Sequence, residues 1–323
     1  MLIDRVVWEP LRRTDLGFLN TLSEVFASAE KQHPGIFPSF RKAECLFVAS
    51  DYGGEHAGAV YETISYLIAD IADCANWQST RERIRAQFLP DGRRMAFKNL
   101  NDRVRRRALE PFLQSANQLP ALLATFAMPK SVRSLFHADG PLDPKAFELE
   151  VLRDLSPAVG EKLLRIVHLL SLLIAGLSAP GQDMLWVTDE DAIAANAQRH
   201  QHLVEALACV SSNCLPHALR HLRVATAKQD KGDQSVEDLL SVPDLAAGGL
   251  SAVLETMLGD RGAPLSGFWL PRPMPLGRKT RMVLDWFADN TQPLRRFVLM
   301  IDEESVSGHL RATHLRFHGS RDI

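Results

Sequence analysis

Four aspartates stand where apolar segments give out. Asp51 follows CLFVAS, Asp189 and Asp191 follow MLWVT, and Asp244 heads DLAAGGLSAVL. Carboxylates delivered from separate elements are the hard oxygen donors that magnesium and manganese prefer. Two such ions roughly 3.5–4 Å apart can activate an attacking water and stabilise the leaving oxygen of a phosphodiester. Aspartates at strand ends also act as caps and as partners of a helix macrodipole. The chemical reading therefore requires Asp51, Asp189 or Asp191, and Asp244 to meet at one place.

The elements that would have to bring them together follow from the apolar pattern. A helix is expected over 14–32, a buried strand over 44–50 entering the turn Asp51-Tyr52-Gly53-Gly54, and a second strand over 59–69 hairpinned to the first. Helical character over 76–89 and 100–113 flanks a short MAFK stretch, and 122–128 reads as a further strand. Residues 144–178 read as helix in two pieces broken near Pro157. A strand over 184–187, a helix over 192–210 and a strand over 222–227 come next. The last helix of this set is expected to open at Pro243, which suits a first helical position and places Asp244 in the first turn. Its Ala246, Ala247, Gly248 and Gly249 allow a close backbone approach. Strands alternating with helices imply a mixed α/β sheet flanked by helices. Beyond 261 a Pro-rich stretch precedes a helix over 280–288 and the strand candidates RRFVLMID and HLRATHLRFH, read as an appended C-terminal subdomain. The division is 1–40 as a helical lead, 41–260 as the main domain and 261–323 as the appendage.

The segments ASDYGG, VTDED and VPDLAAGGL, in that order, resemble an uncharacterised bacterial family with a ribonuclease H-like fold, whose members carry an Asp-x-Ser-Gly-like opening and a late Ala-Asp-Leu-x-x-Gly helix. The resemblance implies that Asp51 is the first-strand carboxylate, Asp189 the central-strand one and Asp244 the one on the closing helix, together holding magnesium or manganese, with Asp191 a further candidate ligand. Two positions depart from the pattern. Tyr52-Gly53 replaces Ser-Gly, and MAFK puts Ala96 where the family often has Glu. Asp102 or Glu62 are the residues that could replace the lost carboxylate.

The charge distribution bears on the partner. The 323-residue chain is 46% hydrophobic with a formal net charge of −2, which argues against wholesale coating of a polyanion. Yet 81–107 holds ten basic and three acidic residues. Such a face suits a phosphodiester backbone, with Lys98, Arg103 and Arg106 as the expected contacts; the competing reading is a solvated helix surface. Four irregularly spaced cysteines suggest neither a disulfide framework nor zinc, and the charged N-terminus is unlike a secretory signal. The cytoplasm is the expected compartment, without a membrane. The apolar run 163–178 contains Arg165 and His168 and reads as a buried core helix.

Three functions are thus expected from the sequence, in this order. The first is a metal-dependent nuclease using Asp51, Asp189 and Asp244. The second is a non-catalytic binding or regulatory module on the same fold. The third is an aspartate-based phosphotransferase using Asp189 and Asp191.

Overall fold

The computed structural model describes residues 8–11, 17–136, 149–189, 192–229, 232–258, 268–269, 276–289, 293–304 and 309–318. Helices α1 (Phe18–Gln32), α2 (Ala75–Phe88), α3 (Arg103–Ala116), α4 (Pro157–Leu177), α5 (Ala197–Cys214), α6 (Ser235–Met257) and α7 (Arg278–Phe287) accompany strands β1 (Cys45–Gly53), β2 (Tyr61–Asp70), β3 (Ala121–Pro129), β4 (Asp183–Thr188), β5 (His221–Thr226), β6 (Phe268–Trp269), β7 (Arg295–Glu303), β8 (Leu310–Leu315) and β9 (Phe317–His318). Among the described residues seven strands form one mixed sheet in the order β5-β4-β1-β2-β3-β7-β8.

Both faces of the sheet are covered. Along β1, Leu46 and Val48 join the core shared with α1, α4 and α5. Phe47 and Ala49 point the other way, into the core shared with α2, α3, α6 and α7. Side chains on a strand alternate between faces, so Asp51 falls on the α6 side. β1 and β2 pair antiparallel, as the hairpin reading expects, and β4 lies parallel to β1 on its other side. The strand ends are pinned on the opposite face: Trp186 Nε1 donates to Ser50 Oγ at 2.9 Å, Ser50 Oγ donates to Thr188 at 3.1 Å, and Tyr52 Oη lies 2.9 Å from Thr188 Oγ1. That polar knot fixes where Asp189, the next residue, leaves the sheet.

Two expectations change. Helix α6 begins at Ser235, two turns before Pro243, which lies inside it. Asp244 is therefore an interior helix residue, and the capping explanation for it is removed. The early start is held by Asp238, fully buried, whose carboxylate receives Arg85 at 2.6 and 2.7 Å and Arg81 at 3.1 Å. The second change concerns the residues beyond 261, expected as an appended subdomain. They supply β7, parallel to β3, and β8, antiparallel to β7, to the same sheet. Edge strands accept such additions because their backbone groups need partners. Thr14, expected to open α1, and the first part of the expected 144–178 helix lie outside the described residues. The apolar run 163–178 lies in α4, and among the described residues no helix is long and apolar enough to cross a membrane.

Glycine lets α6 settle onto β1. A Cβ on Gly53 would stand 2.8 Å from the backbone carbonyl of Ala247, whose oxygen also accepts Thr63 Oγ1 at 2.9 Å. Replacing Asp238 with alanine would leave two guanidinium groups buried without a charge partner. The expected loss is about 3–5 kcal/mol, measured as a lower denaturant midpoint with an unchanged slope.

Candidate functional site: an acidic centre closed by an arginine

Where β1, β4 and α6 meet, Asp51, Asp189 and Asp244 come within electrostatic range of one another, and the charges of Asp244 and Asp189 both act on Asp51. Asp51 is 7% exposed. Its Oδ1 accepts the Tyr52 backbone N–H at 2.6 Å, while its Oδ2 is buried without a hydrogen-bond partner among the described residues. Asp244 Oδ1 accepts the Phe97 N–H at 2.7 Å. Asp189 is more open, just past the end of β4.

A cation already stands among them. The guanidinium of Arg94 places Nη2 at 3.7 Å from Asp51 Oδ2 and Nη1 at 3.5 Å from Asp189 Oδ1. Its position is set by the segment on either side. Arg105 Nε donates to the Arg94 carbonyl at 2.7 Å, Ser241 Oγ to the Met95 carbonyl at 2.7 Å, and the Phe97 N–H to Asp244. Phe97 itself lies against Gly248, where a Cβ would come within 2.6 Å of the ring. The loop before α3 is thus clamped to α6, and the clamp points Arg94 inward. The contacts to the carboxylates are longer than hydrogen bonds, and both Nε and Nη2 of Arg94 lack hydrogen-bond partners. This is charge neutralisation without a tight ion-pair geometry.

The charges have consequences for protons. Burial pushes the Asp51 carboxyl well above the usual carboxylate range, and Asp244 and Asp189 push it further; the Tyr52 N–H and Arg94 oppose this. Burial also raises Asp244, against the Phe97 N–H, Arg94 and Lys98. For Arg94, burial works against the charged form, but Asp189, Asp244 and Asp51 outweigh it and hold the guanidinium protonated.

The donor set as arranged closes on Arg94 rather than on a divalent ion. Among the described residues no three His, Cys, Asp or Glu side chains are gathered as ligands for one ion, and Asp191 lies outside the described residues. Neither expected replacement carboxylate reaches the centre. Asp102 caps α3 through the Val104 N–H at 2.9 Å and pairs with Arg93 and Arg105, while Glu62 pairs with Arg165 at 3.1 Å. Ala96 is buried. The residue entering the acidic centre is Arg94, two positions earlier, which in the sequence is one member of the basic run and nothing more.

That run divides in two. Arg81 and Arg85 are tied to Asp238, Arg93 to Asp91 and Asp102, Arg105 to Asp102, and Arg94 to the acidic centre. Arg83, Lys98, Arg103, Arg106 and Arg107 are exposed and make no ion pair among the described residues. Lys98 is near enough to Asp244 to lower it, so this open cation borders the acidic centre.

No protein-family model and no curated protein matches the chain. Among solved structures it is similar to the ribonuclease H2 from Pyrococcus horikoshii OT3 at 14% identity, covering 74% of this chain and 85% of that chain with a TM-score of 0.34, a likeness too low to carry an argument.

The raised Asp51 carboxyl makes a signed prediction. Its folded-state pKa lies above the unfolded value of about 3.9, so its stabilising contribution is present below that pH and is lost as pH rises through the folded pKa. At neutral pH the buried carboxylate therefore weakens the fold. Asp51→Asn should raise stability by about 1 kcal/mol at pH 7, and thermal melts of the two proteins should converge as pH falls toward about 4. A variant less stable than wild type at pH 7 would contradict this.

Proposed function

We propose that the chain is a ribonuclease H-like module that binds a nucleic-acid backbone without cutting it. The observation that carries this is the Arg94 guanidinium between Asp51 and Asp189. A resident positive charge occupies the position where a divalent ion would need open ligand sites, and it raises the electrostatic cost of a second cation there. The ribonuclease H-like assignment is supported by the origin of the carboxylates: one on β1, one at the end of the parallel neighbour β4, one on the closing helix α6. Backbone binding is supported by Lys98, which is exposed and close enough to act on Asp244, and by Arg103 and Arg106, which are exposed at the start of α3. Arg103 and Arg106 also sit in the first turn of α3, where the macrodipole disfavours cations. Helix stability therefore does not account for them.

A second reading is favoured by the unsatisfied Oδ2 of Asp51, a buried oxygen with a raised proton affinity and no hydrogen-bond partner. On that reading Arg94 swings aside and Asp51, Asp189 and Asp244, with Asp191, take up magnesium or manganese for hydrolysis.

Calorimetric titration with Mn²⁺ separates the readings. The binding-module reading expects no saturable heat from the wild-type protein and a new site in Arg94→Ala, which should also melt lower at neutral pH because three carboxylates lose their counter-charge. Saturable wild-type binding, with DNA or RNA cleavage lost in Asp51→Asn, would establish the nuclease instead. Backbone recognition is tested through salt. Replacing Lys98, Arg103 and Arg106 together by alanine should flatten the plot of log affinity for duplex against log salt by about 0.9 for each phosphate left unneutralised. An unchanged slope would remove that face.

A further inference from the structure

A second basic constellation lies away from the acidic centre. The chain after α1 turns through His33, Pro34 and Gly35, and this turn faces the start of β7, the end of β8 and the end of α7 across a cavity of about 350 Å³. Pairing of β7 with β8 stops at Val298 and Leu315, so the first residues of β7 border open space. Three arginines line that space, Arg295, Arg296 and Arg316, together with His33 and His314. No acidic residue is among its described lining residues.

Arg296 is the informative one. It is 9% exposed, yet its hydrogen bonds run to neutral groups: the Asp289 and Leu294 carbonyls and Asn117 Oδ1. Its guanidinium lies 4.8 Å over the Trp286 ring, and its Nε has no hydrogen-bond partner. The nearby Asp289 carboxylate accepts from Asn117 Nδ2 at 2.9 Å, and among the described residues no carboxylate reaches Arg296 within ion-pair distance. A buried guanidinium without an ion pair is costly; burial pulls this one down to about 10, and the charge of Asp289 offsets only part of that. Burial, His33 and Arg316 push the His314 ring down to about 4, so it is neutral at neutral pH and stacks on Phe297 at 4.9 Å. The lining also has an apolar part, with Phe287 and Phe317 5.4 Å apart.

We propose that this cavity binds a phosphorylated small molecule of the nucleoside phosphate class. Arg295 and Arg316 hold its phosphates through charge-assisted hydrogen bonds, and the buried Arg296 adds its charge. Phe287 and Phe317 flank its organic part. The volume suits a ligand of that size. The cavity shares no residue with the acidic centre, and its ligand binds whether or not that centre engages a nucleic-acid backbone.

The test titrates the full chain with inorganic pyrophosphate and with ADP by calorimetry. One saturable site is expected for each, with ADP tighter because pyrophosphate leaves the apolar wall bare. Arg295→Ala and Arg316→Ala remove exposed side chains, so the fold should survive, as an unchanged melting temperature would show. Each should weaken binding by at least about tenfold, and a Lys98→Ala protein should bind like wild type. The imidazole resonances of His314 should shift on saturation. Absence of saturable heat to about 10 mM, or arginine variants with wild-type affinity, would overturn the site. Equal affinity for ADP and pyrophosphate would overturn the role given to Phe287 and Phe317.

Discussion

Negative charge gathered at the junction of β1, β4 and α6 has to be offset, and one guanidinium offsets part of it. Asp51 is almost wholly buried, Asp244 is half-buried and Asp189 stands at the rim. Three carboxylates against one arginine leave the centre net negative, which is why burial and mutual repulsion raise the proton affinity of Asp51 while Arg94 stays firmly charged. The arrangement requires the loop before α3 to be held rigidly, because an arginine free to leave would abandon the carboxylates to one another. The Arg105, Ser241 and Asp244 hydrogen bonds to that loop supply the rigidity.

Helix α6 connects this local balance to the rest of the fold. Asp238 anchors one end on α2 through Arg81 and Arg85, the small residues in its middle admit β1 and Phe97, and Asp244 projects between them. Two carboxylates on one helix thus have opposite fates. Asp238 is enclosed by two well-placed guanidinium groups and is structural, whereas Asp244 shares a distant one with two competitors.

Much of the sheet could be read from composition. Strands β1 to β5 are short apolar runs bounded by turn residues, and the β1–β2 hairpin follows from local sequence. The convergence of Asp51, Asp189 and Asp244 was legible because each ends or interrupts such a run. Three features were not. Local sequence puts the start of α6 at Pro243, since proline suits a first helical position, and only the tertiary grip on Asp238 explains the preceding two turns. The place of β7 beside β3 depends on parallel pairing between distant parts of the chain, which carries no local signature. Arg94 sits in an aperiodic loop among other basic residues, and nothing in its neighbours distinguishes it from the solvated members of that run.

The position of β3 bears on how the chain is made. Its apolar side chains are buried on both faces, and the strand that covers its far edge, β7, leaves the ribosome only after α4, β4, α5, β5 and α6. Until then the nascent protein exposes an apolar edge with unpaired backbone groups, a template for joining another chain. Truncated products lacking the last strands should therefore be sticky rather than merely inactive, and biogenesis would gain from a chaperone that masks this edge during the interval.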